Sequence, residues 1–338
     1  MTEAHLIGPH VRRFLLEHVI GDRNLSVNTQ KSYRDAIRQL LLFMATRKGI
    51  DASRLTVEHL SVEVVRAFLA HLEEQRSNST ATRNQRLASL RSFFRFVGNH
   101  TPELVALVTP ILAIPFRRTG TPVMPYLEKT EIDALLAVPN RRYPQGQRDH
   151  AMLLFLYNTG ARADEAARAT VAALRLDDPP SVRIMGKGRK TRMCPLWPHT
   201  AASLTALLDS RPSGPPDAPV FLNVRGQPIT RFGIHTLVER TVAKAGDAMP
   251  SLRSKRVSPH TLRHTTAVHL LRSGVDINTI RAWLGHVSLE TTNRYAEVDL
   301  EMKAKALATC TVNSQSTVTD SSPAWRKDRD LMAFLTSL

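Results

Sequence analysis

Chain breakers a third of the way along the sequence constrain the fold most. Pro102, Pro110, Pro115, Pro122 and Pro125 punctuate one stretch, and Arg117-Arg-Thr-Gly-Thr121 within it is polar. Proline fixes φ and removes a backbone donor, so regular structure is expected to break here. The 338 residues should therefore pack as two bodies with separate cores, in keeping with domains of about 100 to 200 residues. The expected boundaries are a helical domain at 1–114, a basic linker at 115–125, a larger domain at 126–309, and a flexible spacer with a terminal helix at 310–338.

Upstream of the breakers the apolar period is helical. Val11, Leu15 and Val19 recur at helix spacing, then Tyr33, Ile37, Leu40, Leu41 and Met44 follow a Ser26-Val-Asn-Thr29 start. Two more runs carry Val65, Phe68, Leu69 and Leu72, and Leu87, Leu90, Phe94 and Val97. Four amphipathic helices make a small bundle. On the fourth, Arg83, Asn84, Gln85, Arg86, Arg91 and Arg95 are expected off the apolar stripe, a set able to meet phosphates and base edges in a major groove. A merely solvated basic face is the competing reading.

Charge points the same way. Lys and Arg number 46 against 30 Asp and Glu, a formal net charge of +16. The excess recurs along the chain, including the linker pair Arg117 and Arg118, which suits a long surface tracking a phosphate backbone better than it suits neutral metabolites. No apolar run approaches the roughly 18 to 20 residues needed to span a bilayer, and no secretory leader is visible, so a cytoplasmic, nucleoid-associated protein without membrane contact is expected. Cys194 and Cys310 are too few for a disulfide framework or a cysteine zinc site.

Beyond the linker the pattern is mainly helical with one extended pair. Residues 182–185 and 192–196 flank Gly186-Lys-Gly-Arg-Lys-Thr191, which reads as a β-hairpin with lysines at its tip. The fold class is mainly α with a small β-sheet. Four segments stand out: Thr159-Gly-Ala-Arg162-Ala-Asp-Glu165, the Lys187 hairpin, His260-Thr-Leu-Arg263-His264, and Leu284-Gly-His286 followed by Tyr295. Singly, each is explained by a surface charge, a solvent-facing lysine or a packed tyrosine.

Taken in order and spacing, this set resembles the tyrosine recombinase, or phage integrase, family over nearly the whole chain. The family order of Arg, Lys, His-x-x-Arg, His or Trp, and Tyr falls here on Arg162, Lys187, His260, Arg263, His286 and Tyr295. The strings Thr-Gly-x-Arg-x-x-Glu, His-x-Leu-Arg-His-Thr-x-Ala and Leu-Gly-His-x-Ser-x-x-Thr-Thr-x-x-Tyr match as well. The resemblance implies an N-terminal four-helix SAM-like core-binding bundle and a catalytic domain that together form a C-shaped clamp on double-stranded DNA.

It also implies the chemistry. Arg162 and Arg263 would clamp the scissile phosphate, since guanidinium donors suit non-bridging oxygens. Tyr295 would be the nucleophile, left joined to a 3′ phosphate. His260 would share its proton, His286 would donate to the phosphate, and Lys187 would protonate the leaving 5′ oxygen, with Lys190 as the alternative acid. Arg189, Lys190 and Arg192 would contact phosphates, and Glu165 would orient Arg162 or His260. His264 is read as packing. No cofactor and no metal are implied, because a covalent phosphotyrosine conserves the bond energy and cationic side chains supply the charge. A histidine metalloenzyme is disfavoured, lacking suitably spaced carboxylate or cysteine partners.

The implied function is site-specific recombination for a mobile element, by a homo-oligomer forming a tetrameric synapse on recombination sites. Co-encoded recombinases and host DNA-bending proteins are further partner candidates. The alternatives are type IB topoisomerase-like relaxation and an inactive DNA-binding accessory protein. Two departures stand out. Ala161 and Asp164 replace the leucine and serine common in the first arginine motif, and the chain continues well past Tyr295, where Trp325 to Leu335 is expected to dock on a neighbour or back on its own lobe.

Overall fold

The computed structural model describes residues 6–120, 124–186, 188, 190–212 and 214–285. Two compact units divide the chain, one up to residue 122 and one from 123. The first is all helix. α1 (Ile7–Arg13) runs on in wider π-helical turns through Phe14–Asp22, and α2 (Val27–Lys48) starts where the Ser26 hydroxyl accepts from Thr29 N. α3 (Val62–Glu74) and α4 (Thr80–His100) follow, the latter capped by Ser79 on Thr82 N. Leu40, Phe68, Leu87 and Phe94 fill the centre as their helical spacing predicts, joined by Phe14 and Phe93, while Val11 and Leu15 of the first run are only half-buried.

A fifth helix, α5 (Val105–Leu112), lies in the stretch expected to be irregular. Pro110 sits inside it, deprived of the bond to the Ala106 carbonyl, and burial of Val108 and Ile111 against the bundle outweighs that loss. The chain then stays on this unit through Arg117. Arg83 Nη1 donates to the Pro115 carbonyl at 3.2 Å, and the Asn84 amide brackets the Arg117 backbone, giving to its oxygen at 2.7 Å and accepting from its nitrogen at 3.1 Å. Residues 115–117, the start of the stretch read as a basic linker, are thus held on α4 by hydrogen bonds.

The second unit is helical around a three-stranded antiparallel sheet. α6 (Lys129–Ala137), α7 (Pro144–Thr159) and the short α8 (Ala163–Ala167) lead into β1 (Leu174–Arg175), β2 (Ser181–Met185) and β3 (Thr191–Pro195), in the order β1-β2-β3. Ser181 pairs with Pro195 and Met185 with Thr191, which closes the expected hairpin. β1 escapes sequence reading because two residues carry no alternation. α9 (Pro198–Asp209), α10 (Arg231–Ala248), α11 (Pro259–Arg272) and α12 (Ile277–Leu284) complete the described part.

α7 is buried on nearly every side from Ala151 to Thr159, which makes it the axis of this unit. Its Phe155 and Leu156 join Val182, Leu204, Phe221, Val238 and Leu262 in one core. A second cluster of Ala267, Val268, Leu271, Ile280 and Leu284 seats α12 on α11. Among the described residues no helix is long and apolar enough to cross a membrane.

Candidate active site

The end of α7 organises the site. Gly160 closes the helix in the left-handed region at φ +59°, a conformation that costs a residue with a Cβ about 1 to 2 kcal/mol. Thr159 Oγ1 donates to Phe155 O at 2.7 Å and accepts from Ala161 N at 3.1 Å, turning the chain outward. Arg162 then begins α8, and Glu165 reaches back to its backbone nitrogen at 3.0 Å. The same carboxylate takes Arg162 Nη1 at 2.7 Å and Arg192 Nη2 at 2.7 Å.

Glu165 is 5% exposed. Burial alone would raise its pKa, but the Arg192 hydrogen bond and charge, together with the Arg162 contacts, outweigh that and hold it below the usual carboxylate value. The Arg162 side chain stays 41% exposed, oriented at one edge by Glu165 and open to solvent elsewhere.

α11 carries the histidines and the second arginine. Ser258 caps it, accepting from Thr261 N, and places His260 in the first turn with Arg263 and His264 one turn on. Arg263 is 1% exposed, the largest fully buried side chain described. Its Nη1 donates to Gly160 O and its Nη2 to Leu284 O, both at 2.6 Å. These bonds tie the first arginine motif, the His-x-x-Arg helix and the end of α12 to one guanidinium. A side chain at position 160 would force Leu284 to shift, because a Cβ there would lie 2.4 Å from Leu284 Cδ2.

His260 is exposed, and its ring stands edge-to-face with His264, centroids 4.1 Å apart. Desolvation, then the charges of Arg263 and Arg162, lower the His260 pKa. His264, 7% exposed, is pushed down to about 4 by burial, with His260 and Arg263 adding to it. Both rings are therefore neutral near pH 7, and a neutral imidazole offers one donor and one acceptor.

A groove of about 860 Å³ runs beside this cluster, lined by Arg162, Lys190 and Arg192 on one side and by Asn278, Arg281 and Trp283 of α12 on the other. Lys190 is exposed. Asp164, the added negative charge of the first motif, pairs with Arg168 at 2.5 Å on the surface and not with Arg162. Ala161, the other departure, is buried.

Arg162, Glu165, His260 and Arg263 are thus brought together. Lys187, Arg189, His286, Tyr295 and the expected Trp325 to Leu335 helix lie outside the described residues. Arg192 is corrected: it is no open phosphate contact, since its side chain is 9% exposed and its Nε donates to Trp283 O at 2.8 Å. Residues 192 and 194 share one face of a strand, and Cys194 is wholly buried.

The first unit has its own corrections. Arg83 is 6% exposed and bonded to Asn84 Oδ1 as well as to Pro115 O, so it does not face solvent as a base reader. Asn84 holds Arg117, Gln85 Nε2 donates to Ser32 Oγ at 3.1 Å, and Arg86 reaches Ser32 O at 3.5 Å. Arg91 stacks on Phe116 at 5.0 Å, Arg117 pairs with Glu73 at 2.7 Å, and Arg95 and Arg118 are exposed. Most of this face therefore braces α4 against α2 and residues 115–117.

Comparison with known proteins agrees with the geometry. The phage integrase family model matches residues 125–302, and the phage integrase N-terminal SAM-like domain matches 12–99. A Sinorhizobium fredii chain named as an integrase/recombinase, y4rC, is 38% identical, with all of both chains covered. Tyrosine recombinase XerC of Pelobacter propionicus is 35% identical over 86% of this chain and 91% of its own. In fold the chain is similar to the XerH site-specific recombinase solved on a difH substrate, at TM-score 0.68 and 20% identity, covering 85% of this chain and 81% of that one. It is also similar to the Tn1549 transposon integrase solved with a circular intermediate DNA, at TM-score 0.69 and 15% identity, covering 89% and 99%. The chain belongs to the phage integrase family and is a tyrosine-type site-specific recombinase.

Proposed function

We propose that this protein cleaves and rejoins double-stranded DNA at specific sites of a mobile element, through a covalent link between Tyr295 and a 3′ phosphate. The observation that carries the reading is the joint on Arg263, which binds the Gly160 and Leu284 carbonyls and so gathers the Arg162, His260 and Leu284-Gly285 segments at one place. Arg162 presents the solvent-facing part of its guanidinium to the non-bridging oxygens. Arg263 adds positive charge from a buried position, where it is less screened.

His260 is held neutral and takes the phenol proton as Tyr295 attacks. His286, directly after Gly285, donates to the phosphate, and Lys187 protonates the departing 5′ oxygen. The phosphotyrosine keeps the energy of the broken bond, so a 5′ hydroxyl from a second strand reverses the step without a nucleotide cofactor. Gln85, Arg86, Arg91, Arg117, Arg118, Arg189 and Lys190 position the backbone of the duplex. Assembly as a homo-tetramer on paired sites, in the compartment that holds the chromosome, completes the reading.

The test is adduct formation on DNA carrying the element's ends. Wild-type protein should yield a protein–DNA adduct that survives denaturant and is absent in Tyr295→Phe. Adduct in the Phe variant, or none with wild type on a verified site, refutes the reading, and relaxation without strand exchange would make the enzyme a topoisomerase.

A further inference from the structure

The last carbonyls of a helix have no partner within it. At the end of α12 the final two are taken by arginines: Leu284 O by Arg263, and Trp283 O by Arg192 Nε at 2.8 Å. Arg192 simultaneously gives Nη2 to Glu165, and its side chain is enclosed. Gly285 leaves room for it: a Cβ there would lie 3.2 Å from Arg192 Cδ and Nη1. Cys194, two residues along β3, also donates its thiol to Trp283 O at 3.4 Å, and Trp283 Nε1 reaches back to Asn158 O at 3.1 Å.

We propose that Arg192 is a positioning residue that locks three parts of the site in register: strand β3 behind the hairpin lysines, Glu165 with its Arg162, and the last turn of α12, which leads into His286. A guanidinium does this because Nε and Nη2 project in a fixed fork, one prong to a carboxylate and one to a carbonyl. An ammonium at the same place has three donors on one atom and lacks the fixed separation of Nε and Nη2, so it does not hold the two acceptors at a set spacing. A cation at the helix C-terminus is also favoured by the helix dipole. Arg192 touches no DNA in this role and acts through Glu165 and α12.

The inference about the catalytic effect rests on the proposed recombinase reading, so its test has one arm that does not. Arg192→Lys and Arg192→Gln are compared with wild type by amide hydrogen exchange. Faster exchange confined to α12 and the Arg162 turn is expected, with α7 and α10 unchanged. Global loss of protection would make Arg192 a general core group and overturn the proposal, as would unchanged exchange throughout.

The second arm measures adduct formation in the bound complex and DNA affinity against salt concentration. Misplacement by about 1 Å costs on the order of 100-fold in rate, so the adduct rate should fall about 100-fold in both variants. Affinity and its salt slope should stay as in wild type. A salt slope reduced by about one, with the rate restored at saturating protein, would mark Arg192 as a phosphate contact and overturn the inference. Absence of any wild-type adduct would instead refute the recombinase reading and leave the exchange result standing.

Discussion

Alanine at position 160 should disrupt the site more than alanine at Gly274, another left-handed glycine of the same unit. Two costs combine at position 160. The left-handed backbone at φ +59° costs a non-glycine residue about 1 to 2 kcal/mol, and a Cβ 2.4 Å from Leu284 Cδ2 forces repacking worth about 1 to 3 kcal/mol. Gly274 is the control, since it has φ +83° and nothing within 4 Å of an added Cβ, and so carries the first cost alone. Gly160→Ala should therefore lie about 1 to 3 kcal/mol below Gly274→Ala in unfolding free energy. Tryptophan fluorescence in urea reads this, because Trp197 and Trp283 lie in the second unit and the first has no tryptophan. Adduct formation should drop in Gly160→Ala alone, since Leu284 must move and its carbonyl holds Arg263. Equal midpoints for the two variants would refute the steric argument and leave only a conformational role for Gly160.

Acid sensitivity should trace to His264. Its folded pKa is about 4 against 6.5 for the free side chain, so between those values the unfolded chain binds a proton that the folded chain refuses. Stability should fall as pH drops from about 6.5 to about 4, by about 3 kcal/mol in all, and urea midpoints of wild type and His264→Gln should converge across that window. An unchanged gap would show that the ring protonates without penalty. Asn84→Ala removes both hydrogen bonds to the Arg117 backbone. At about 1 kcal/mol apiece it should destabilise the first unit by about 1 to 2 kcal/mol, read by the far-ultraviolet circular dichroism transition of that unit, while leaving the tryptophan-reported transition in place. Arg117→Ala should cost under about 1 kcal/mol, because its ion pair with Glu73 is solvent-exposed on the arginine side.

Helix spans were the most legible part of the sequence. α11 runs over Pro259–Arg272 and α12 over Ile277–Leu284, within the stretch read as mainly helical. α5 was hidden because Pro110 reads as a breaker, whereas a helix of eight residues survives one when its buried face is good. The gathering of Arg162, Glu165, His260 and Arg263 was legible only through the motif order; periodicity alone leaves each as a surface charge. What no linear reading could supply is where a charged side chain turns back into the protein. Arg83, Arg192 and Arg263 look alike as basic residues, yet carbonyls and carboxylates distant in sequence capture all three.

The Arg263 joint also governs when the enzyme becomes competent. Gly160 and Arg263 stand far apart in sequence, and Leu284 lies further on, so the cationic centre exists only after a long loop has closed. Closing such loops costs entropy that local helices do not incur, and it comes late in folding. A nascent chain on the ribosome, or a proteolytic fragment ending inside α11, can hold a folded N-terminal bundle and still lack the assembled arginine pair. The cationic centre is thus a property of the finished molecule.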